Sequence, residues 1–358
     1  MDKRLSIKLS ALTFFFLCIV VLSHAQNIFA GKPGLHDQVW FVESFLSNKL
    51  VKISVPMFAF ISGYLFFFGW NAEQTFDTAA FKKKIGKRMR TVLLPYVFWC
   101  TFWFLFIYVL QMLPGTSKFF SSPLYKMSVF DQIKNWIIEP VNYPFWYMRE
   151  LVFMILISPL VFVWVKYLKV FGLIIIYIIA LFSKNIITVW DIDMFRWHMI
   201  FCFTFGTYCA VNRKNMVLHW SVAVQYLLIV LTVAAFVLLT YLEYAQPQTS
   251  HTFPVRTLAI LSALFGSLAV WTVYDRIDSK KPFTYHKWYD YSFILYACHG
   301  VPLVLLNKGF GIFTGQNPIL LLVFYFVSAI LTILGCIAFG SILKKYIPTF
   351  YAIVTGNR

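Results

Sequence analysis

Acidic residues are what this 358-residue chain has least of: 14 Asp and Glu stand against 31 Lys and Arg, for a net charge of +17. Charged side chains of both signs make up only 13% of the sequence, while 60% is hydrophobic and 20% aromatic. A soluble domain carries about 25% charge and roughly 45–50% apolar residues, and could not hide this much apolar surface from water. Low-complexity stretches and internal repeats are missing too. So is any polar segment long enough for a soluble domain, since the longest loop runs only from Pro114 to Pro144. That loop has room for a cap or a short amphipathic helix. The six cysteines, Cys18, Cys100, Cys202, Cys209, Cys298 and Cys336, all fall in apolar stretches, so a disulfide framework is not expected and they read as buried thiols. No metal site is expected.

What fills the chain instead is apolar runs of bilayer length. A helix needs roughly 20 such residues to span, and turn or charge signals divide the sequence into about ten spans: 9–28, 50–70, 92–113, 145–165, 170–187, 197–211, 217–241, 258–274, 289–306 and 319–343. The expected fold is an all-α polytopic membrane helix bundle, residues 1–358 forming a single integral-membrane domain. Lys and Arg accumulate in cytoplasmic loops. Twenty of the 31 basic residues group at one set of loops, most densely at Lys82, Lys83, Lys84, Lys87, Arg88 and Arg90, which predicts a multi-pass protein of the cell (inner or plasma) membrane with both termini cytoplasmic. Membrane loops and anionic lipids account for the charge, with no need of nucleic acid. The start, Lys3, Arg4 and Lys8 before an apolar run and Ser23-His24-Ala25, imitates a signal peptide, but the run continues past the would-be cut through Ile28 and Phe29 and reads as a retained first helix.

Mid-membrane carboxylates, common in ion-coupled transporters, are also lacking. Only Glu150 and Asp290 fall within these spans, both close to an end. The buried polar inventory is histidine, arginine and hydroxyl. His24 and His299 lie inside apolar spans, where an ionisable side chain is expensive and points to function. A desolvated imidazole stays neutral because burial disfavours the charged form, and a neutral imidazole can accept a proton from a hydroxyl. Ser292, Tyr296 and His299 follow an i, i+4, i+7 pattern that puts three polar groups on one helix face. Interhelical hydrogen bonding alone would account for the same pattern. Counted along their spans, His24 and His299 fall at similar depth.

Arg149 opens the fourth span one helical turn after Trp146. An interfacial aromatic belt with a snorkelling arginine, paired with Glu150, is the plainest account of that segment. The block from Lys82 to Arg90 is a topology signal that also has the chemistry to hold phosphates.

Five segments, taken in chain order, resemble the acyltransferase 3 family of integral-membrane proteins. They are Val20-Val21-Leu22-Ser23-His24; Pro56-Met57-Phe58 through Ser62-Gly63-Tyr64-Leu65; the basic stretch ending Lys87-Arg88-Met89-Arg90 before Leu94-Pro95-Tyr96; Phe145-Trp146-Tyr147-Met148-Arg149; and Ser292-Phe293 through Tyr296 to His299. The resemblance covers almost the whole chain. It implies transfer of an acyl group, most often acetyl, from cytoplasmic acyl-CoA to a hydroxyl of a cell-surface or lipid-linked sugar. Acyl-CoA, acetyl-CoA above all, would be a co-substrate rather than a tightly bound cofactor.

On that resemblance His24 is the expected general base, with His299 and Arg149 completing the catalytic set by orienting the acceptor and stabilising charge. Lys87, Arg88 and Arg90 would hold the CoA phosphates. Ser62, Gly63, Trp146, Ser292 and Tyr296 would line the substrate path, Ser62-Gly63 chiefly by permitting close helix packing. Many members carry Arg or Lys eleven residues before the first-helix histidine; here Thr13 stands there, and that cation's role is not carried over. Two other readings compete: a transporter or flippase for glycan intermediates that does no chemistry, and a structural partner in a glycan-assembly complex.

Overall fold

The computed structural model describes residues 2–26, 37–114, 122–189, 191–250, 252–314 and 317–357. The last two residues of the first expected span, 27 and 28, and part of the long loop, 115–121, lie outside the described residues. Helix α1 (Lys3–His24) leads to α2 (Asp37–Ser44), which continues through a π-helical turn at Phe45–Lys49 and a 3-10 turn at Leu50–Ile53 into α3 (Ser54–Phe67). Then come α4 (Thr78–Met112), the short α5 (Val129–Ile133), α6 (Trp146–Leu156) and α7 (Ser158–Phe182). A hairpin of β1 (Asn185–Val189) and β2 (Ile192–Arg196) precedes α8 (Trp197–Val211), α9 (Val222–Ala245) and α10 (Phe253–Lys280). The chain closes with α11 (Ser292–Cys298), α12 (Gly300–Thr314), α13 (Pro318–Tyr346) and α14 (Pro348–Thr355).

Among the described residues seven helices are long and apolar enough to cross a membrane, or eight if the bent pair Lys287–Cys298 and Gly300–Phe310 is one span. The sequence pattern had about ten. The difference sits in two places. Lys169, with φ 49° and ψ −129°, breaks α7 and sets Trp164 Nε1 against Gly172, so α7 is two helical segments that meet at the boundary expected between the fourth and fifth spans, each shorter than a span by itself. Helix α8, at 15 residues, is shorter than a span. The expected fifth span also ends early: β-branched Ile186, Ile187, Thr188 and Val189 pair as an antiparallel strand with β2 instead of extending the helix.

Two helices explain how the ends of the bundle are built. Asp77 caps α4, its Oδ1 accepting from Ala79 N (2.8 Å) and Ala80 N (3.1 Å). The 35 residues of α4 rise about 1.5 Å each, more than the ~30 Å hydrocarbon core, so its basic first turns project beyond the apolar belt. At the opposite end of the bundle the α2–α3 rod loosens where polar residues crowd. Ser267 Oγ donates to the carbonyl of Ile53 (3.0 Å), Ser47 bonds the Tyr325 hydroxyl (2.9 Å), and Lys49 pairs with Glu243. Side chains inserted into the helical ladder are a recognised cause of such π and 3-10 turns.

Close packing holds the middle. Gly63 of α3 and Gly206 of α8 face each other's backbones: a Cβ on Gly63 would come within 2.1 Å of Phe203 O, and one on Gly206 within 2.0 Å of Phe60 O. Small residues at a helix crossing are the means by which apolar helices associate in lipid. At the end where α1 begins, Lys8 is buried in an ion pair with Asp275, 2.7 Å to both oxygens, with a further bond to Met216 O (2.9 Å) and the Trp271 ring 3.8 Å beneath. The helices reach further than the apolar runs, so Glu43 and Asp275 join Glu150 within them, each within two turns of a helix end. Glu43, Glu150 and Asp275 are all buried inside the protein.

Candidate active site

His24 ends α1 and His299 ends α11, and the fold brings their rings to 5.4 Å, centroid to centroid, inclined at 35°. The ring of Tyr143, from the loop before α6, lies 6.0 Å from His24. His24 is half-buried and His299 fully buried.

A sharp break puts His299 there. The expected ninth span bends by 69° between Cys298 and Gly300. Pro302 has no N–H to return to the preceding turn. Asn142 drives into the gap: its Nδ2 donates to Ala297 O (2.9 Å), while its Oδ1 sits where a Cβ of residue 300 would be, 2.4 Å away, so only glycine fits. Trp103 Nε1 donates to the same carbonyl (2.8 Å). His299 Nδ1–H then donates to Leu295 O (2.8 Å), which makes Nε2 the lone-pair nitrogen. Among the described residues, that Nε2 is buried without a hydrogen-bond partner.

Below the histidines lies a cavity of about 440 Å³. Its mouth, at the end where α1 begins, is edged by Ser6, Arg88, Tyr285, Tyr289 and Asp290. Its inner end is closed by Leu17, Ser62, Tyr147, Met148 and Tyr296. Ser6, Ser10, Thr13 and Leu17 face it from successive turns of α1. Two hydrogen bonds hold the inner end: Ser62 Oγ with the Tyr147 hydroxyl (3.2 Å), and the Tyr296 hydroxyl donating to Pro144 O (2.6 Å). The Tyr296 and His299 rings are 6.4 Å apart. Tyr296 therefore joins the two places, lining the cavity on one side and neighbouring His299 on the other.

The sequence-derived site residues divide in space. Ser62, Ser292, Tyr296 and Arg88 line the cavity. Gly63 does not; its face is taken by the backbone of α8, because it is the point of closest helix approach. Lys87 and Arg90 are exposed and point away, since the turn that aims Arg88 inward aims them outward. Among the described residues Arg88 is the only cation in the lining.

Arg149 and Trp146 belong to a separate network beside the β-hairpin. Arg149 donates from Nη1 to Ile138 O (2.6 Å) and from Nη2 to Asp193 O (3.2 Å) and Glu150 Oε1 (3.3 Å). Phe195 adopts a positive φ of 60°, which turns its own N–H and that of Arg196 toward Glu150, 3.1 Å each. The Arg196 guanidinium stacks 4.2 Å over Trp146. Sequence reasoning missed Asn142, Tyr143, Trp103 and Arg196. Polar residues in an aromatic loop carry no periodic signal, and only the adjacency of Asn142-Tyr143-Pro144 to the Trp146–Arg149 segment hinted at them.

The comparisons agree with the motifs. Residues 8–340 match the family described as an acyltransferase domain, Acyl_transf_3. The chain is 25% identical over 374 aligned positions to the succinoglycan biosynthesis protein ExoH of Rhizobium meliloti (strain 1021), covering 100% of this chain and 94% of that protein. No solved structure matches it significantly.

Proposed function

Because this chain belongs to the Acyl_transf_3 acyltransferase family, we propose that it moves an acyl group, acetyl in the simplest case, from acyl-CoA on the cytoplasmic side to a hydroxyl of a polysaccharide or lipid-linked sugar at the opposite face. The observation that carries this reading is the cavity whose lining includes both Arg88 and Tyr296, the latter 6.4 Å from the ring of His299. Arg88 suits a CoA phosphate at the mouth, where a charge-assisted hydrogen bond is strong. The hydroxyl and apolar lining behind it suits a slender acyl-bearing arm, and Thr13 contributes a hydroxyl where many relatives carry a cation. The similarity to a succinoglycan biosynthesis protein supports a glycan acceptor.

In this reading His24 takes the proton of the acceptor hydroxyl as its oxygen attacks the thioester carbonyl. The C–O bond forms, the C–S bond breaks, and the departing CoA sulfur receives the proton from the imidazolium. His299, oriented by the Leu295 carbonyl, offers Nε2 to hold the acceptor hydroxyl or the N–H of His24. A positioned general base contributes roughly a hundred- to ten-thousandfold.

The test is mass analysis of surface glycans from cells carrying wild-type protein or His24→Ala at matched membrane abundance, with isotope-labelled acetyl-CoA supplied to isolated membranes. Loss of labelled acyl mass in the variant is expected. A wild type that adds no acyl group to any glycan while glycan export depends on it would replace this reading with a transporter.

A further inference from the structure

On the far side of Tyr143 from the cavity, cations collect beyond what pairing within the protein explains. His198, at the start of α8, lies within electrostatic range of Arg196, Arg256, Lys184 and Lys52, which arrive from the hairpin, α10, the end of α7 and the α2–α3 rod. Arg149 adds a fifth formal cation beside Arg196. The carboxylates among them are Glu150, which is shared by Arg149 (3.3 Å), Arg196 (3.9 Å) and two backbone N–H groups, and Asp193, which is paired with Lys184. Glu243, near Lys52, is the partner of Lys49.

Several of these cations keep donors free. Arg149 Nε and Arg196 Nη1 are buried without a hydrogen-bond partner among the described residues, although Arg196 Nη1 lies 3.9 Å from Glu150 Oε1 in a long ion pair, and Arg149 has only 10% of its side chain exposed. Lys52 has no hydrogen bond or ion pair among the described residues, and Lys49 beside it adds repulsion. Like charges drawn together out of water are costly unless something of opposite sign joins them. Glu150 and the Trp146 ring meanwhile hold Arg149 and Arg196 in fixed orientation, which is the preorganisation an anion site needs.

The position gives the cluster a use. Arg196 is in electrostatic range of Tyr143, whose ring packs against His24. We propose that Arg196, Lys52, His198 and Arg256, with Arg149, form a binding site for an anionic group of the acceptor, a phosphate or carboxylate, which sets a neighbouring sugar hydroxyl at His24. The proposal rests on the acyltransferase reading for its purpose but not for its detection. It makes the acceptor an acidic molecule, either a sugar on a lipid diphosphate or a glycan bearing acidic residues.

The test is titration of the full-length protein in neutral phosphatidylcholine nanodiscs by calorimetry, with inorganic pyrophosphate, methyl glucuronoside, and methyl glucoside as the neutral comparison. Saturable binding of an anion but not of methyl glucoside is expected, weakened about tenfold or more in Arg196→Gln and in Lys52→Gln through loss of a charge-assisted contact. Arg196→Lys should recover part of the loss and His24→Ala should bind as wild type. Preference for pyrophosphate assigns the phosphate source, and preference for the glucuronoside assigns the glycan carboxylate. Lys52→Gln removes no bond of the fold seen among the described residues, so it remains informative if Arg196→Gln fails to fold. Absence of saturable binding by either anion, or equal binding by wild type and both charge variants, overturns the proposal. Anion binding without acyl transfer would instead remove the enzyme reading and leave the site standing.

Discussion

The rings of His24 and His299 lie 5.4 Å apart although one comes from the first helix and the other from the eleventh. They meet because both helices stop at the same level, α1 at its natural end and α11 at the wedge of Asn142. His299 is locked by the Leu295 carbonyl and His24 is half-buried, so the two positions should respond differently to substitution. His24→Ala is expected to lower acyl transfer by about a hundredfold or more. His299→Gln should retain more activity than His299→Ala, because an amide can still offer a lone pair to the acceptor. Initial rates with labelled acyl-CoA in membranes of matched protein content check both. Equal loss in the two His299 variants would argue against an orienting role.

Arg88 is set apart from its basic neighbours by facing the cavity. Arg88→Gln is expected to raise the half-saturating acyl-CoA concentration roughly tenfold, the loss of one charge-assisted phosphate contact. Lys87→Gln and Arg90→Gln should change it little. Saturation curves at two salt concentrations separate a direct contact from diffuse attraction, since the latter is screened.

The Gly63–Gly206 crossing leaves no space for a methyl group, with backbone carbonyls about 2 Å from either hypothetical Cβ. Gly63→Ala and Gly206→Ala should each destabilise the bundle by about 1–3 kcal/mol through overpacking. Thermal unfolding of detergent-solubilised protein, followed by loss of the monodisperse size-exclusion peak, reads this. Gly86→Ala, where a Cβ would meet nothing within 4 Å, serves as the neutral comparison.

Lys8 and Asp275 are each only 3% exposed in their side chains. Removing one partner strands a buried charge, so Lys8→Met should cost about 3–5 kcal/mol. Replacing both, as Lys8→Met with Asp275→Leu, should recover much of that loss, although the Leu218 N–H that Asp275 accepts (2.9 Å) goes unpaired. Unfolding midpoints of the three variants decide it. A double variant no better than the single would show that Met216 and Leu218, rather than the ion pair, hold the segment between α8 and α9.

The sequence by itself determined the solvent of this protein and its helical class. Hydrophobic run length and charge placement are local properties, so no neighbour was needed to read α1, α4, α9, α10 and α13. The motif order sufficed to suggest the family, and two histidines in apolar runs were conspicuous without any structure. The tertiary structure decided where those runs break and which polar groups meet. The Asn142 wedge interrupts a helix that hydropathy reads as continuous, because such a kink depends on which side chain enters the ladder from another element. Arg149 was legible as a charge at a helix end, yet its partners include Ile138 and Asp193 from other elements, and the cationic cluster it joins draws residues from several elements. Spacing along a chain carries no record of such meetings. They arise from packing, which also chose the α8 backbone as the surface that Gly63 approaches and brought the two histidine rings together.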